Sequence, residues 1–436
     1  MKEINKKFLN NIEQEYLNDQ CSTITRRALV KNKINDLAKV NEQAEFTRDM
    51  FSINLKTLPV TNQKSSGRCW IFAGCNVIRE KVAKKYNLKD FELSQNYIAF
   101  YDKLEKCNYL LENIISLKDV ERDDRTLDNL LTVGIQDGGQ WDLFVNIINK
   151  YGLVPKSAFP ETFQSSNTYQ IDNLLNKYIR KFAFEIRNSN EDISYKKDEF
   201  MKNIYKILCS CFGVPPKTFS FEYVDKDKNY NIIKDLTPIS FYKNIVQMDL
   251  NEYISIINSP TQDKPFNKVY TVDYIGNVIE GNEILYLNLD IERLKQLAIA
   301  QLKDGEPVWF GSDCTKSGDI DDGVWDDKSF DVDTLFQIDS TMSKGAMLDT
   351  RESAMNHAMV ITGVNLDNNI PTKWKIENSW GDEKANKGYH VATDSWFSKF
   401  VYQIVINKKY LSDEEKNILN TERIRLKPWD PMGTLA

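Results

Sequence analysis

Gln63-Lys64-Ser65-Ser66-Gly67-Arg68-Cys69-Trp70 carries a glycine-containing loop into a periodic apolar run. Beyond it Ile71, Cys75, Ile78 and Val82 recur at i, i+4, i+7 and i+11, which predicts a helix that starts near Cys69 and turns this face to a core. Cys69 then sits at a helix N-terminus, where unpaired N–H groups and the positive dipole end favour a thiolate, and Arg68 adds positive charge. The thiolate is the nucleophilic form of cysteine. A second reading makes Cys69 a small buried residue, as Cys75 is read one turn later.

Upstream, residues 1–50 are polar but periodic (Ile4, Phe8, Ile12, Leu17), an N-terminal extension of surface helices packed by one face. Residues 51–165 form a helical lobe. Its further helices run near 94–111 and 141–151, the latter ended by Gly152 and Pro155. Residues 166–300 are rich in Lys, Asn, Asp and Tyr. They read as an accessory insertion, mainly helical (170–188, 194–211, 290–303), with strand-like pieces at 218–225 and 268–280. After Gly305-Glu306-Pro307 the chain turns β-rich over 301–427, with short strands at Val308-Trp309-Phe310, 358–362, 373–377 and 402–406. Residues 428–436 hold two prolines and a glycine, the composition of an end that ordinarily frays. The class is α+β, and a cleft between the helical and sheet lobes is the natural place for a composite site.

Composition limits the chemistry. The 436 residues are 41% hydrophobic and 28% charged, an ordinary globular profile that excludes disorder, collagen and coiled coil as whole-chain readings. Fifty-seven Lys+Arg against 63 Asp+Glu give a net charge of −6, which argues against a surface built to bind phosphates. The N-terminus lacks the apolar core of a secretory signal, and no run of about 18 apolar residues is present to span a membrane. Seven scattered cysteines fit free thiols in a reducing compartment, the cytosol by default. There is no C-x-x-C pair, and only two histidines occur, His357 and His390. A structural zinc site has little support, and no metal or cofactor is expected.

A cysteine nucleophile needs a base, so the two histidines compete. His357 lies in Asn356-His357-Ala358-Met359 at a strand entrance, and His390 in Gly388-Tyr389-His390-Val391 is also near a strand. Asn378, in Glu377-Asn378-Ser379-Trp380-Gly381, favours His357: its oxygen can accept the imidazole N–H and fix the tautomer, while Trp380 shields that bond from water. The segment is also plausible as a plain strand-ending turn. Gln63, six residues before the cysteine, can join the Cys69 backbone N–H as an oxyanion donor pair.

Gln63, Gly67-Arg68-Cys69-Trp70, His357 and Asn378-Ser379-Trp380-Gly381, in that order, resemble the papain-like cysteine peptidases. More narrowly, Asp137-Gly138-Gly139-Gln140-Trp141, Tyr151-Gly152-Leu153-Val154-Pro155, Phe159-Pro160-Glu161 and the ending from Pro428 to Ala436 resemble the bleomycin hydrolase and aminopeptidase C branch. The resemblance spans roughly 50–165 and 300–436. It implies a papain-like two-lobed fold, a helical lobe plus a β-barrel-like sheet lobe, with a C-terminal arm in the cleft. It implies Cys69 as nucleophile, His357 as base and then acid, Asn378 as orienter and Gln63 as oxyanion donor. Gly138 and Gly139 match the glycines against which substrate backbone lies, with an ordinary Asp-Gly turn as the alternative. The Asn356 carbonyl would touch substrate near the scissile bond, and His390 stays structural. In this branch the terminal carboxylate, here that of Ala436, faces the α-ammonium of substrate. The implied protein is a cytosolic aminopeptidase on short peptides with free N-termini, assembled as a homohexamer to which 166–300 contributes contacts. Alternatives are a nucleic-acid-binding or scaffold assembly, which the net charge disfavours, and an endopeptidase or acyltransferase on the same fold.

Overall fold

The run Ala358-Met359-Val360-Ile361 does not alternate apolar with polar, the pattern of a strand buried on both faces. In the computed structural model, which describes residues 1–40, 50–188, 192–320 and 322–435, this run lies in strand His357–Asp367 near the centre of a large mixed sheet. Ala358 and Val360 enter one core with Trp309, Tyr402 and Val405. Met359 and Ile361 enter a second core with Val308, Phe310, Ile404 and Ile406. Each strand thus feeds two cores by its period-two alternation.

Among the described residues twelve strands join this sheet. Its central order is Tyr253–Ile257, Val401–Asn407, Val308–Ser312, His357–Asp367, Ile370–Glu377 and Tyr389–Thr393, all antiparallel neighbours. One wing continues through Tyr286–Asn288, Lys268–Val272 and Ile424–Leu426, the other through Val324–Trp325 and Gly318–Asp319. The expected barrel-like lobe is an open sheet here: its outermost strands are two or three residues long and do not pair with each other.

Helix Cys69–Lys85 packs on strands His357–Asp367 and Val308–Ser312. The sequence predicts one buried face, yet every residue from Cys69 through Arg79 is buried. Helices Gln95–Ser116 and Trp141–Tyr151 cover the side away from the sheet. Gly74 permits that contact, because a Cβ there would lie 2.6 Å from the Phe144 ring. A buried ion pair, Arg79 to Glu377 at 2.9 Å, ties this helix to the sheet.

Segment 166–300, expected as one mainly helical insertion, divides. Helices Tyr169–Asn188 and Ile193–Phe212 pack on the helical lobe, and Phe219–Val224 pairs with Tyr230–Leu236 in a separate hairpin. Residues 253–303 belong to the sheet lobe, since strands at 253–257, 268–272 and 286–288 extend its edge and helix Ile291–Lys303 covers its second core. The N-terminal extension also differs from expectation. Helix Lys6–Asn18 forms, but none of its residues is buried, because it packs chiefly on the neighbouring helix Gln20–Leu29. A short helix, Ile34–Ala38, follows, and residues 41–49 of the extension lie outside the described residues.

The C-terminal segment does not fray. Met432 and Leu435 are buried, Tyr286 Oη donates to the Met432 carbonyl at 3.2 Å, and Thr434 Oγ1 donates to the Met355 carbonyl at 2.7 Å. Among the described residues no helix is long and apolar enough to cross a membrane.

Candidate active site

Cys69 is the first residue of its helix, so its own N–H and that of Trp70 have no preceding turn to bond to. The loop before it is pinned at both ends. Gln63 N–H donates to the Ser379 carbonyl at 2.8 Å, and Gly67 N–H to Asp137 Oδ2 at 2.7 Å. Arg68, expected to lend positive charge to the thiol, turns instead into a two-point pair with Glu161 at 3.1 and 2.9 Å. Its charge is spent there.

The opposing wall is the start of strand His357–Asp367, paired with Ser312. Ala358 N–H donates to Cys69 Sγ at 3.4 Å, which sets the His357 backbone beside the thiol. His357 Nε2 lies 2.8 Å from Asn378 Oδ1. Ser379 N–H donates to the same oxygen at 2.8 Å, so Oδ1 is the acceptor, Nε2 holds the proton and Nδ1 keeps the lone pair. Trp380 stacks on the imidazole with centroids 4.8 Å apart.

Gln63 is buried and fixed at both ends of its amide. Nε2 donates to the Ser66 carbonyl at 2.6 Å, and Oε1 accepts from Ser379 Oγ at 2.6 Å. One amide hydrogen remains for a ligand.

Burial pushes the Cys69 thiol up to about 11 and the His357 imidazole down to about 4. Backbone N–H groups of Ala358, Trp70 and Cys69 itself oppose the first shift, and Asn378 opposes the second. Either charge alone is penalised here, whereas a thiolate beside an imidazolium is a compensated pair.

Gly138 and Gly139 border the Cys69 helix from the helical side. Lys106 Nζ donates to the Gly138 carbonyl and pairs with Asp102 at 2.7 Å. A Cβ on Gly139 would lie 2.5 Å from the Trp70 ring, so this glycine is required by Trp70, not only by an approaching substrate. Trp70 Nε1 donates to the Asp137 carbonyl at 2.6 Å, and Lys103 balances the Asp137 carboxylate at 2.6 Å. Asn356 is exposed next to His357, and Ala436 lies outside the described residues. His390 is buried on Trp325 and apart from the thiol's partners. Among the described residues no cluster of His, Cys, Asp and Glu is arranged to hold a metal ion. Sequence reasoning missed Ser379 as a holder of Gln63, Lys106 and the Asp137 carboxylate. Ser379 and Asp137 at least stand inside the quoted motifs, whereas nothing local marks Lys106.

A nucleophile-type cysteine at a helix start and a His–Asn pair on a facing sheet define a papain-type thiol hydrolase site. The chain belongs to the Peptidase C1-like family, whose model matches residues 3–433. It is 47% identical to aminopeptidase C of Lactobacillus delbrueckii subsp. lactis, with 92% of each chain covered. It is 44% identical to aminopeptidase C of Listeria monocytogenes, with 98% of each covered. Mouse bleomycin hydrolase is 43% identical, over 87% of this chain and 86% of that one. The crystal structure of PepW from Lactobacillus rhamnosis superposes with a TM-score of 0.97 at 46% identity, covering 100% of this chain and 99% of that one.

Proposed function

We propose that this chain is a cysteine aminopeptidase that releases N-terminal residues from short peptides through an acyl-enzyme. The observation that carries the reading is the Ala358 N–H bonding Cys69 Sγ at 3.4 Å, on the strand whose preceding residue, His357, is held by Asn378 at 2.8 Å. In the proposed reaction His357 Nδ1 takes the Cys69 proton and the sulfur attacks the scissile carbonyl carbon. The oxyanion accepts from the Cys69 N–H and the remaining Gln63 Nε2 hydrogen. His357 then protonates the leaving amine, leaving a thioester. Water, deprotonated by the same imidazole, releases the acid and restores the thiol. Asn378 keeps the proton on Nε2 throughout.

Substrate backbone would lie along Gly138 and Gly139 on one wall and reach the Asn356 carbonyl on the other, with Trp380 roofing the imidazole. The anchoring of Thr434 on Met355 brings the chain's end to this wall, which supports a terminal carboxylate on Ala436 facing the α-ammonium. A homohexameric assembly in the cytosol completes the reading. The test is hydrolysis of an aminoacyl fluorogenic amide by the parent and by Cys69→Ala. Loss of turnover to background is expected, and equal rates would refute the mechanism.

A further inference from the structure

Asp313 follows strand Val308–Ser312, is 2% exposed and has no cationic partner among the described residues. In this it differs from the other buried carboxylates around the site: Asp137 has Lys103 and Glu377 has Arg79. Asp313 is held instead by neutral donors. Oδ1 accepts from Asn356 Nδ2 at 2.6 Å, from Thr315 N–H at 3.1 Å and from Thr315 Oγ1 at 2.6 Å. Oδ2 accepts from Ser353 Oγ at 2.8 Å, and Ser353 in turn accepts from Tyr402 Oη at 2.7 Å. Such donors orient the carboxylate without bringing a positive charge to it.

That carboxylate grips the residue directly before His357. Asn356 is fixed at three points: its N–H donates to the Ser312 carbonyl at 3.0 Å, its Oδ1 accepts from Cys314 N–H at 3.1 Å, and its Nδ2 reaches Asp313. Its carbonyl has no partner among the described residues, and the residue is exposed. A rigid, unpaired carbonyl backed by an uncompensated buried negative charge suits a cation better than a neutral amide N–H.

We propose that Asp313 is a positioning residue for the α-ammonium of substrate: it locks the Asn356 carbonyl beside the imidazole as the ammonium's acceptor and supplies the negative charge behind it. The proposal rests on the aminopeptidase reading and assigns the selection of free N-termini partly to the sheet lobe, independently of the chain's terminal carboxylate.

The test uses two inhibitors, an aminoacyl aldehyde and its des-amino analogue. Cys69 sulfur adds to either aldehyde carbon while the thiol proton passes to the carbonyl oxygen, so both report the same covalent step. The parent should bind the amino compound the tighter. Asp313→Asn should weaken the amino aldehyde about tenfold and leave the des-amino aldehyde within about twofold. Asp313→Glu, which keeps the charge, should restore part of the difference. If Asp313→Asn does not fold, Asn356→Ala tests the same contact, since it keeps the carbonyl and removes its tether. It should lose the same discrimination. A parent that does not distinguish the two aldehydes overturns the aminopeptidase reading and this one with it. A discriminating parent whose Asp313→Asn form weakens for both compounds alike, or for neither, overturns this proposal alone.

Discussion

The two histidines occupy two regions of one sheet that are alike in most respects. Both rings are buried, both are pushed down to about 4 by burial, and both lie against tryptophan. His357 stacks on Trp380 and His390 on Trp325, and Trp380 also meets His390 edge-on, so one indole stands between the regions. They differ in their nitrogens. His357 Nε2 has Asn378, and its chain neighbour Ala358 bonds the Cys69 sulfur. Neither ring nitrogen of His390 has a partner in hydrogen-bonding geometry among the described residues. Burial and aromatic packing therefore do not mark a general base. An acceptor that fixes the tautomer, on a residue whose chain neighbour bonds a thiol, does.

The largest break in that comparison is His357→Ala, which should lower kcat/KM on an aminoacyl amide by about a thousandfold or more. A variant retaining a tenth of parent activity would move the base elsewhere. Next comes Asn378→Ala. With the acceptor gone, the imidazole N–H is buried unpaired, as in the His390 region, and the ring is free to take the wrong tautomer. A loss of about 10- to 100-fold in kcat is expected, with KM little changed and stability reduced by about 1–3 kcal/mol. Steady-state kinetics beside urea unfolding would check both, and parent-like kcat would show that Asn378 orients nothing.

What the sequence made legible follows from where the information lies. The loop into Cys69, the strand opening at His357 and the Asn378-Ser379-Trp380-Gly381 turn are local patterns, each readable within about ten residues. So were the helices at 141–151 and 193–212. Strand Tyr253–Ile257 was not, because it is short, sits in a polar stretch and carries a buried serine whose hydroxyl accepts from Gln403 Nε2 at 3.0 Å, on a neighbouring strand far off in sequence. Asp313 and Lys106 were illegible for the same reason: their meaning lies in partners over 30 residues off, Asn356 and the Gly138 carbonyl. The N-terminal helix shows the converse. Its apolar spacing is a sound helix signal, but periodicity says nothing about what covers the face. In this chain Phe8 and Ile12 remain exposed.

The smallest effect on activity, and the sharpest test of the comparison, is His390→Leu. Leucine is close in volume, keeps an apolar contact with Trp325 and removes two unsatisfied nitrogens. Turnover should stay within about threefold of parent. Stability should part company with the parent only in acid. In the unfolded chain His390 titrates near 6.5 and in the folded chain near 4, so between these values the unfolded state binds the extra proton. Unfolding free energy therefore falls as pH drops from about 6.5 to about 4, and this contribution changes no further below that. His390→Leu lacks the group and also removes its charge repulsion with His357, a smaller influence on His390 than its burial, so the difference between the two proteins reports His390 together with that repulsion. The stability of the parent relative to the variant should thus decline by about 3 kcal/mol across that window. Parallel stability curves would mean that His390 takes up its proton in the folded chain as readily as in water. The two regions would then differ in burial itself, rather than only in what their nitrogens meet.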